Sequence, residues 1–240
     1  VRVVSPVNAY VFPEYVLPRL ERYLADSTVN VDPLVRRQYA WCIGTLATTA
    51  ARYLDVIQAL RAEGTLPAAV PEAEEELTAS VHRNQFDSDR QNLLEAFEKH
   101  TKALLIDPDS FVRRAMLRSV GELCVFFGSP RANDVVLSHL NTYLNDPDWM
   151  LKCAFFQAIV GVAVFVGSAS LEALILPLMI QALTDPEEFV VENVVRALSA
   201  IAEQGLFQRS KAWELVDIVA RLTMHPNIWI REAAAQFIAA

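Results

Sequence analysis

Asp146-Pro147-Asp148-Trp149-Met150-Leu151-Lys152 has close copies along the chain. Asp107-Pro108-Asp109-Ser110-Phe111-Val112-Arg113 precedes it, and Asp185-Pro186-Glu187-Glu188-Phe189-Val190-Val191 follows. His225-Pro226-Asn227-Ile228-Trp229-Ile230-Arg231 comes last. The starts at 107, 146, 185 and 225 give intervals of 39, 39 and 40 residues. A fixed period near forty, punctuated the same way each time, marks an array of identical supersecondary units.

Asp followed by Pro predicts a helix start. Asp107, Asp146 and Asp185 are expected to accept from the free N–H groups of the first turn. The following Pro, at the first helical position, lacks an N–H that would have had no partner. Asp185 with Glu188 resembles a capping box. A large apolar residue follows in each copy (Phe111, Met150, Phe189, Trp229), then a second (Val112, Leu151, Val190, Ile230). A base closes three of the four copies: Arg113, Lys152 and Arg231, with Val191 breaking the series. Twelve residues after each Pro stand Val120, Ile159, Leu198 and Ile238; fifteen after stand Leu123, Val162 and Ile201. Gly128, Gly167 and Gly205 are expected to end these helices in the left-handed conformation. A second amphipathic helix precedes each Asp and ends at Leu105, Leu144 or Leu183. The unit is therefore helix A, tight turn, helix B and short loop, stacked so that neighbours bury one another's apolar faces.

A chain of 240 residues that is 53% hydrophobic can bury a large core. Little of it alternates with period two, so helices are expected throughout. A net charge of −8 argues against nucleic acid, which requires a basic stripe. Cys42, Cys124 and Cys153 are odd in number and widely spaced. They are expected to be buried reduced thiols rather than metal ligands or disulfide partners. Cys153 to Leu171 carries no charge, a length that could cross a membrane. Gln157, Gly161 and Gly167-Ser168 interrupt it, and it is in register with the other B helices. The expectation is a helix covered on both sides by its neighbours.

Residues 1–10 are expected to be a linker or the end of a preceding repeat, and residues 11–240 a solenoid. The first repeat has helix A at about Val11–Ala25 and helix B at about Pro33–Arg61. There Asp32-Pro33-Leu34-Val35-Arg36 keeps the start and the base, with two fewer residues between Asp and base. Residues 62–89 hold Pro67, Pro71 and the acidic cluster Glu72, Glu74, Glu75 and Glu76. This stretch is expected to be an exposed insertion with a short helix. The second repeat is expected to have helix A at Gln91–Ile106 and helix B at Asp109–Phe127. The third covers about Asn133–Val166, the fourth Leu171–Gln204, and the fifth runs from Lys211 to the end.

No chemistry is legible. His82, His100, His139 and His225 do not share a metal-binding helix face. The chain has no Gly-rich phosphate loop, no Gly-x-Ser-x-Gly elbow and no kinase signature set. No catalytic, cofactor or metal residue is assigned. The series Arg36, Arg113, Lys152 and Arg231 is expected to bridge to the turn aspartates Asp107, Asp146 and Asp185 of neighbouring units, a ladder inside the stack. Trp149 and Trp229 are expected to pack between repeats.

Two helices per forty residues, with Asp and Val-Arg at the A–B turn, resemble HEAT repeats. Longer strings resemble something narrower. These are Phe12-Pro13-Glu14-Tyr15-Val16-Leu17-Pro18, Ala132-Asn133-Asp134-Val135-Val136-Leu137-Ser138-His139-Leu140, Ala154-Phe155-Phe156, Ile159-Val160-Gly161-Val162-Ala163 and His225-Pro226-Asn227-Ile228-Trp229-Ile230-Arg231. They resemble the HEAT region of the kinase-like regulatory subunit of the class III phosphatidylinositol 3-kinase, the vacuolar protein sorting subunit. The resemblance implies an all-α HEAT-repeat solenoid of about five hairpins. It also implies a non-catalytic segment of a larger subunit with a separate kinase-like domain. The expected partners are the lipid kinase catalytic subunit and a Beclin-type subunit. The expected location is cytoplasmic, peripheral on endosomal, vacuolar and autophagic membranes, with no membrane insertion by this segment and no cofactor. The alternative is a HEAT adaptor for an unrelated protein. A HEAT metalloenzyme that binds iron through His-Glu pairs is excluded, because Arg83, Thr101, Leu140 and Pro226 follow the four histidines. A HEAT-type DNA glycosylase is disfavoured by the acidic balance. No partner-binding residue is assigned.

Overall fold

The computed structural model describes residues 11–21, 32–63 and 75–240. Among these every regular element is helical. A π-helical turn at Val11–Val16 leads into α1 (Leu17–Glu21), then α2 (Pro33–Ala62), α3 (Glu75–Leu105) and α4 (Ser110–Phe127). Two short helices follow, α5 (Ser129–Ala132) and α6 (Ser138–Leu140), then α7 (Trp149–Ser170) and α8 (Leu176–Ala182). The last three are α9 (Glu188–Glu203), α10 (Arg209–Val219) and α11 (Ile228–Ala239). α2, α4, α7, α9 and α11 are the B helices and pack successively in a row. The A segments lie between them in sequence. They are less regular: π- and 3-10 turns at Asn133–Leu137, Asn141–Asn145, Leu171–Ile175 and Ala220–Met224 interrupt them.

One apolar cluster runs from α1 to α11. Val120, Ile159 and Leu198 are fully buried, as are Leu123, Val162 and Ile201. Each such side chain contributes about 1.5–3 kcal/mol by leaving water. Ile238, at the phase of Val120, is instead 45% exposed. That phase is covered by the next repeat, and no described helix lies beyond α11. α2 and α4 approach closely at Gly44, where an added Cβ would stand 3.0 Å from the Ser119 carbonyl oxygen. Ser119 Oγ donates across the same contact to the Ala40 carbonyl at 2.8 Å.

Several expectations need correction. In the first repeat Asp32 is the cap, accepting from the Leu34 N–H at 2.9 Å with Pro33 at the first helical position. In the later repeats the cap lies two residues past the position of the first Asp. Asp109, Asp148 and Asn227 are the caps, accepting from the N–H of Phe111, Met150 and Trp229. Asp107, Asp146 and Asp185 cap nothing: each folds over its Pro and accepts from the N–H two residues on, at 2.9, 2.9 and 3.0 Å. Extended backbone before Pro suits a cap as well, so the residue after Pro decides: where it is Asp or Asn, it takes the cap and Pro stays in the turn before it. Asp185 and Glu188 form no capping box; Glu187 takes the cap position without a side-chain bond, and Glu188 Oε2 accepts from Asn227 Nδ2 at 2.6 Å. Gly128 and Gly167 have positive φ, but ψ of 162° and 164° lies outside the left-handed helical region. That corner of the map is open almost only to glycine.

α3 begins at Glu75, sixteen residues before the expected Gln91. Of the expected insertion at 62–89, residues 64–74 lie outside the described residues, as do residues 1–10. Cys42 is exposed, not buried. The uncharged run is long and apolar enough by composition to span a membrane. Its backbone breaks at Gly167, however, and Leu151, Phe155, Phe156, Ile159 and Val162 are buried among neighbouring helices.

Candidate functional site: the B-helix row and its ion-pair ladder

The first cap residue and the base lie four residues apart, so both sit on the first turn of the B helix. That turn faces the A–B turn of the next unit. Arg36 Nε reaches Asp107 Oδ2 at 2.8 Å, and Lys152 Nζ reaches Asp185 Oδ2 at 2.8 Å. Arg113 pairs with Asp146. In each pair the base comes from one unit and the acid from the next. The Arg113–Asp146 pair is mostly buried, at 14% and 18% exposure. Asp107, by a hydrogen bond and its charge, holds the Arg36 guanidinium above its usual value against the opposing effect of burial.

The arginine has a second task. Arg113 Nη1 donates to the carbonyls of Asp107 (2.6 Å) and Pro108 (3.1 Å), bracing its own turn. Arg231 Nη1 does the same to His225 and Pro226, both at 2.8 Å, and among the described residues it forms no ion pair. His225 stands where the other turns have Asp, and its Nδ1 accepts from the Asn227 N–H at 3.1 Å. The break at Val191 therefore has a counterpart. The base missing from α9 and the acid missing at 225 belong to the same rung, and Val191 is buried there. Tyr143 adds a neutral bond between units, donating to the Leu105 carbonyl at 2.7 Å.

Residues one step around the helix point the other way. Arg37, Arg114 and Arg118, with Trp41, Phe111 and Trp149, line a groove of about 650 Å³ over α2, α4 and α7. The Arg114 guanidinium lies 4.3 Å from the Phe111 ring centre and Arg118 lies 4.7 Å from that of Trp41. Trp149 stacks on Phe189 at 5.4 Å, which joins α7 to α9. Trp229 remains 54% exposed and packs into no such pair. Cys153 lies in the groove wall, and burial pushes its thiol up to about 11; it stays protonated and is a poor nucleophile.

Sequence reading missed the groove arginines. The signal was the doublets Arg36-Arg37 and Arg113-Arg114: adjacent residues on a helix lie about 100° apart, so one of each doublet serves the ladder and the other faces outward. Among the described residues no group of three His, Cys, Asp or Glu is placed to hold a metal.

Helical hairpins stacked in one row, with B helices on one side and a single continuous core, define an α-solenoid of the HEAT type. The chain belongs to the PIK3R4-like family, as its middle domain: that family's model matches residues 1–240. It is 43% identical over 236 residues to the serine/threonine-protein kinase vps15 of Schizosaccharomyces pombe, covering 98% of this chain and 14% of that protein. It is 40% identical over 250 residues to VPS15 of Saccharomyces cerevisiae, covering 99% and 16%. With the probable vps15 of Dictyostelium discoideum it shares 36% over 242 residues, covering 99% and 12%. The chain thus spans about a seventh of the length of the first of these relatives. A designed armadillo repeat protein overlays on 93% of this chain and 98% of its own at 17% identity and a TM-score of 0.49. The segment is a helical repeat region and has no kinase fold.

Proposed function

We propose that this segment is the non-catalytic scaffold of a class III phosphatidylinositol 3-kinase regulatory subunit. It holds the lipid kinase catalytic subunit and a Beclin-type subunit in place for endosomal and vacuolar sorting and autophagy. The observation that carries this is the match of the whole chain to the middle domain of VPS15-type proteins. The geometry is compatible: a row of stacked helices offers a long surface and no reaction centre. On this reading the subunit acts in the cytoplasm, held on membranes through the full complex. The ladder Arg36–Asp107, Arg113–Asp146 and Lys152–Asp185 keeps the register between units, so that surfaces on distant repeats keep their spacing.

The test is co-purification of the catalytic subunit with the full-length regulatory subunit, with and without residues 11–240. Loss of the catalytic subunit on deletion, with the remaining domains folded, is the expected result. Undiminished recovery overturns the scaffold reading and leaves an adaptor for an unrelated protein.

A further inference from the structure

We propose that the groove over α2, α4 and α7 is a docking site for an extended acidic segment of a partner protein, one carrying aromatic or aliphatic side chains between its carboxylates. Three guanidinium groups face this groove in a chain whose net charge is −8. Arg37 and Arg118 are exposed, and among the described residues neither has a carboxylate within ion-pairing distance. Arg114 has one facing carboxylate, Asp148 Oδ2, 3.5 Å from its Nε. The buried Nε has no hydrogen-bond partner, while Nη1 donates to Met150 Sδ at 2.9 Å. Glu122, one turn beyond Arg118, is turned toward Thr45 Oγ1 at 3.2 Å. The groove therefore has a local excess of positive charge with donors to spare.

The apolar walls set the rest of the ligand. Phe111 and Met150 are 56% and 46% exposed, and Trp41 is 47% exposed. Arg114, over the Phe111 ring, already donates from Nη1 to Met150 Sδ, so the donors for a bidentate carboxylate come chiefly from the exposed Arg37 and from Arg118 over the Trp41 ring. Gln157, which bonds Asn193 at 3.0 Å, adds side-chain amides at the α7–α9 end that match peptide backbone. The charge then reverses. At the helix phase of Arg37 and Arg114, α9 carries Glu192 and α11 carries Glu232. An acidic peptide is therefore directed to the α2–α4 end. A nucleic acid or an anionic bilayer would bring its charge against this acidic half as well, which disfavours both.

The inference rests on the scaffold reading for the presence of a protein partner, yet the two fail separately: assembly can persist when the groove is emptied, and peptide binding can persist when assembly is lost. The experiment titrates a fluorescein-labelled dodecapeptide of alternating Glu and Tyr into the full-length regulatory subunit at about 0.1 M salt. Saturable binding is expected, weakening at least tenfold in the double variant Arg114→Glu, Arg118→Glu and unchanged in Arg209→Glu on α10. Arg37→Glu, an exposed position, repeats the test where packing is least disturbed. No saturable binding, or equal binding by all variants, overturns the proposal. So does the finding that phosphatidylserine vesicles or a twelve-nucleotide single strand bind more tightly and lose affinity in the same variants, since that assigns the groove to lipid or nucleic acid.

Discussion

Removing Arg113 by Arg113→Ala severs contacts of two kinds. Within its own unit it deletes the bonds to the Asp107 and Pro108 carbonyls at 2.6 and 3.1 Å. Between units it leaves Asp146, only 18% exposed, without its cation. A buried polar group deprived of its partner costs about 1–3 kcal/mol. At about 2–4 °C per kcal/mol for a domain of this size, the melting temperature should fall by roughly 2–12 °C. Arg231→Ala is the internal control. It removes the same pair of carbonyl bonds, both 2.8 Å, and among the described residues Arg231 pairs with no acid. The difference between the two variants isolates the rung. The double variant Arg113→Ala, Asp146→Ala should recover part of the loss, because no unpaired charge remains. The assay is thermal unfolding followed by circular dichroism on the wild type, these three variants and Asp146→Ala. Equal melting of Arg113→Ala and Arg231→Ala, or a double variant as unstable as both singles summed, would refute the ladder argument.

Other outcomes follow from the same contacts. Gly128→Ala should cost about 1–3 kcal/mol from backbone conformation alone, since an added Cβ there meets nothing within 4 Å; urea unfolding checks this. Tyr143→Phe leaves the Leu105 carbonyl without its donor and should cost about 1 kcal/mol, read the same way. His100 is buried against Tyr39, 2.5 Å from its hydroxyl, and burial lowers its pKa. The unfolded chain therefore takes up this proton first: the stability is complete above about pH 6.5 and is lost as pH falls. His100→Gln should flatten that dependence in melting temperatures taken between about pH 5 and 7. Burial raises the Cys124 thiol to about 12 and the Cys153 thiol to about 11, whereas Cys42 is exposed. One thiol of three should react with Ellman's reagent in the native state, and three in denaturant.

The period of the Asp-Pro heptads made the B helices legible, because each cap, apolar pair and base is a local device whose spacing the helix fixes. The A segments were less legible. Their π- and 3-10 turns answer to packing against two neighbours rather than to local propensity. In the later repeats the cap lies two residues further on than expected because Asp-Pro-Asp offers two acids and the second takes the cap, whereas Asp32-Pro33, with one acid, keeps the first. The rungs were anticipated as pairs, but the link between Val191 and His225 needs the direction of the ladder, base to following acid. The groove is harder still: Arg37, Arg114, Arg118 and Trp41 are distant in sequence and converge only when α2 and α4 pack around Gly44.

Cross-linking mass spectrometry on the intact lipid kinase complex tests the scaffold most directly. Lys99 and Lys211 are well exposed, at 71% and 44%, on α3 and α10, well apart along the solenoid. The account predicts cross-links from these lysines, or from carboxylates beside them, to the catalytic and Beclin-type subunits, reproducibly from the same positions. Cross-links confined to other parts of the regulatory subunit would contradict it.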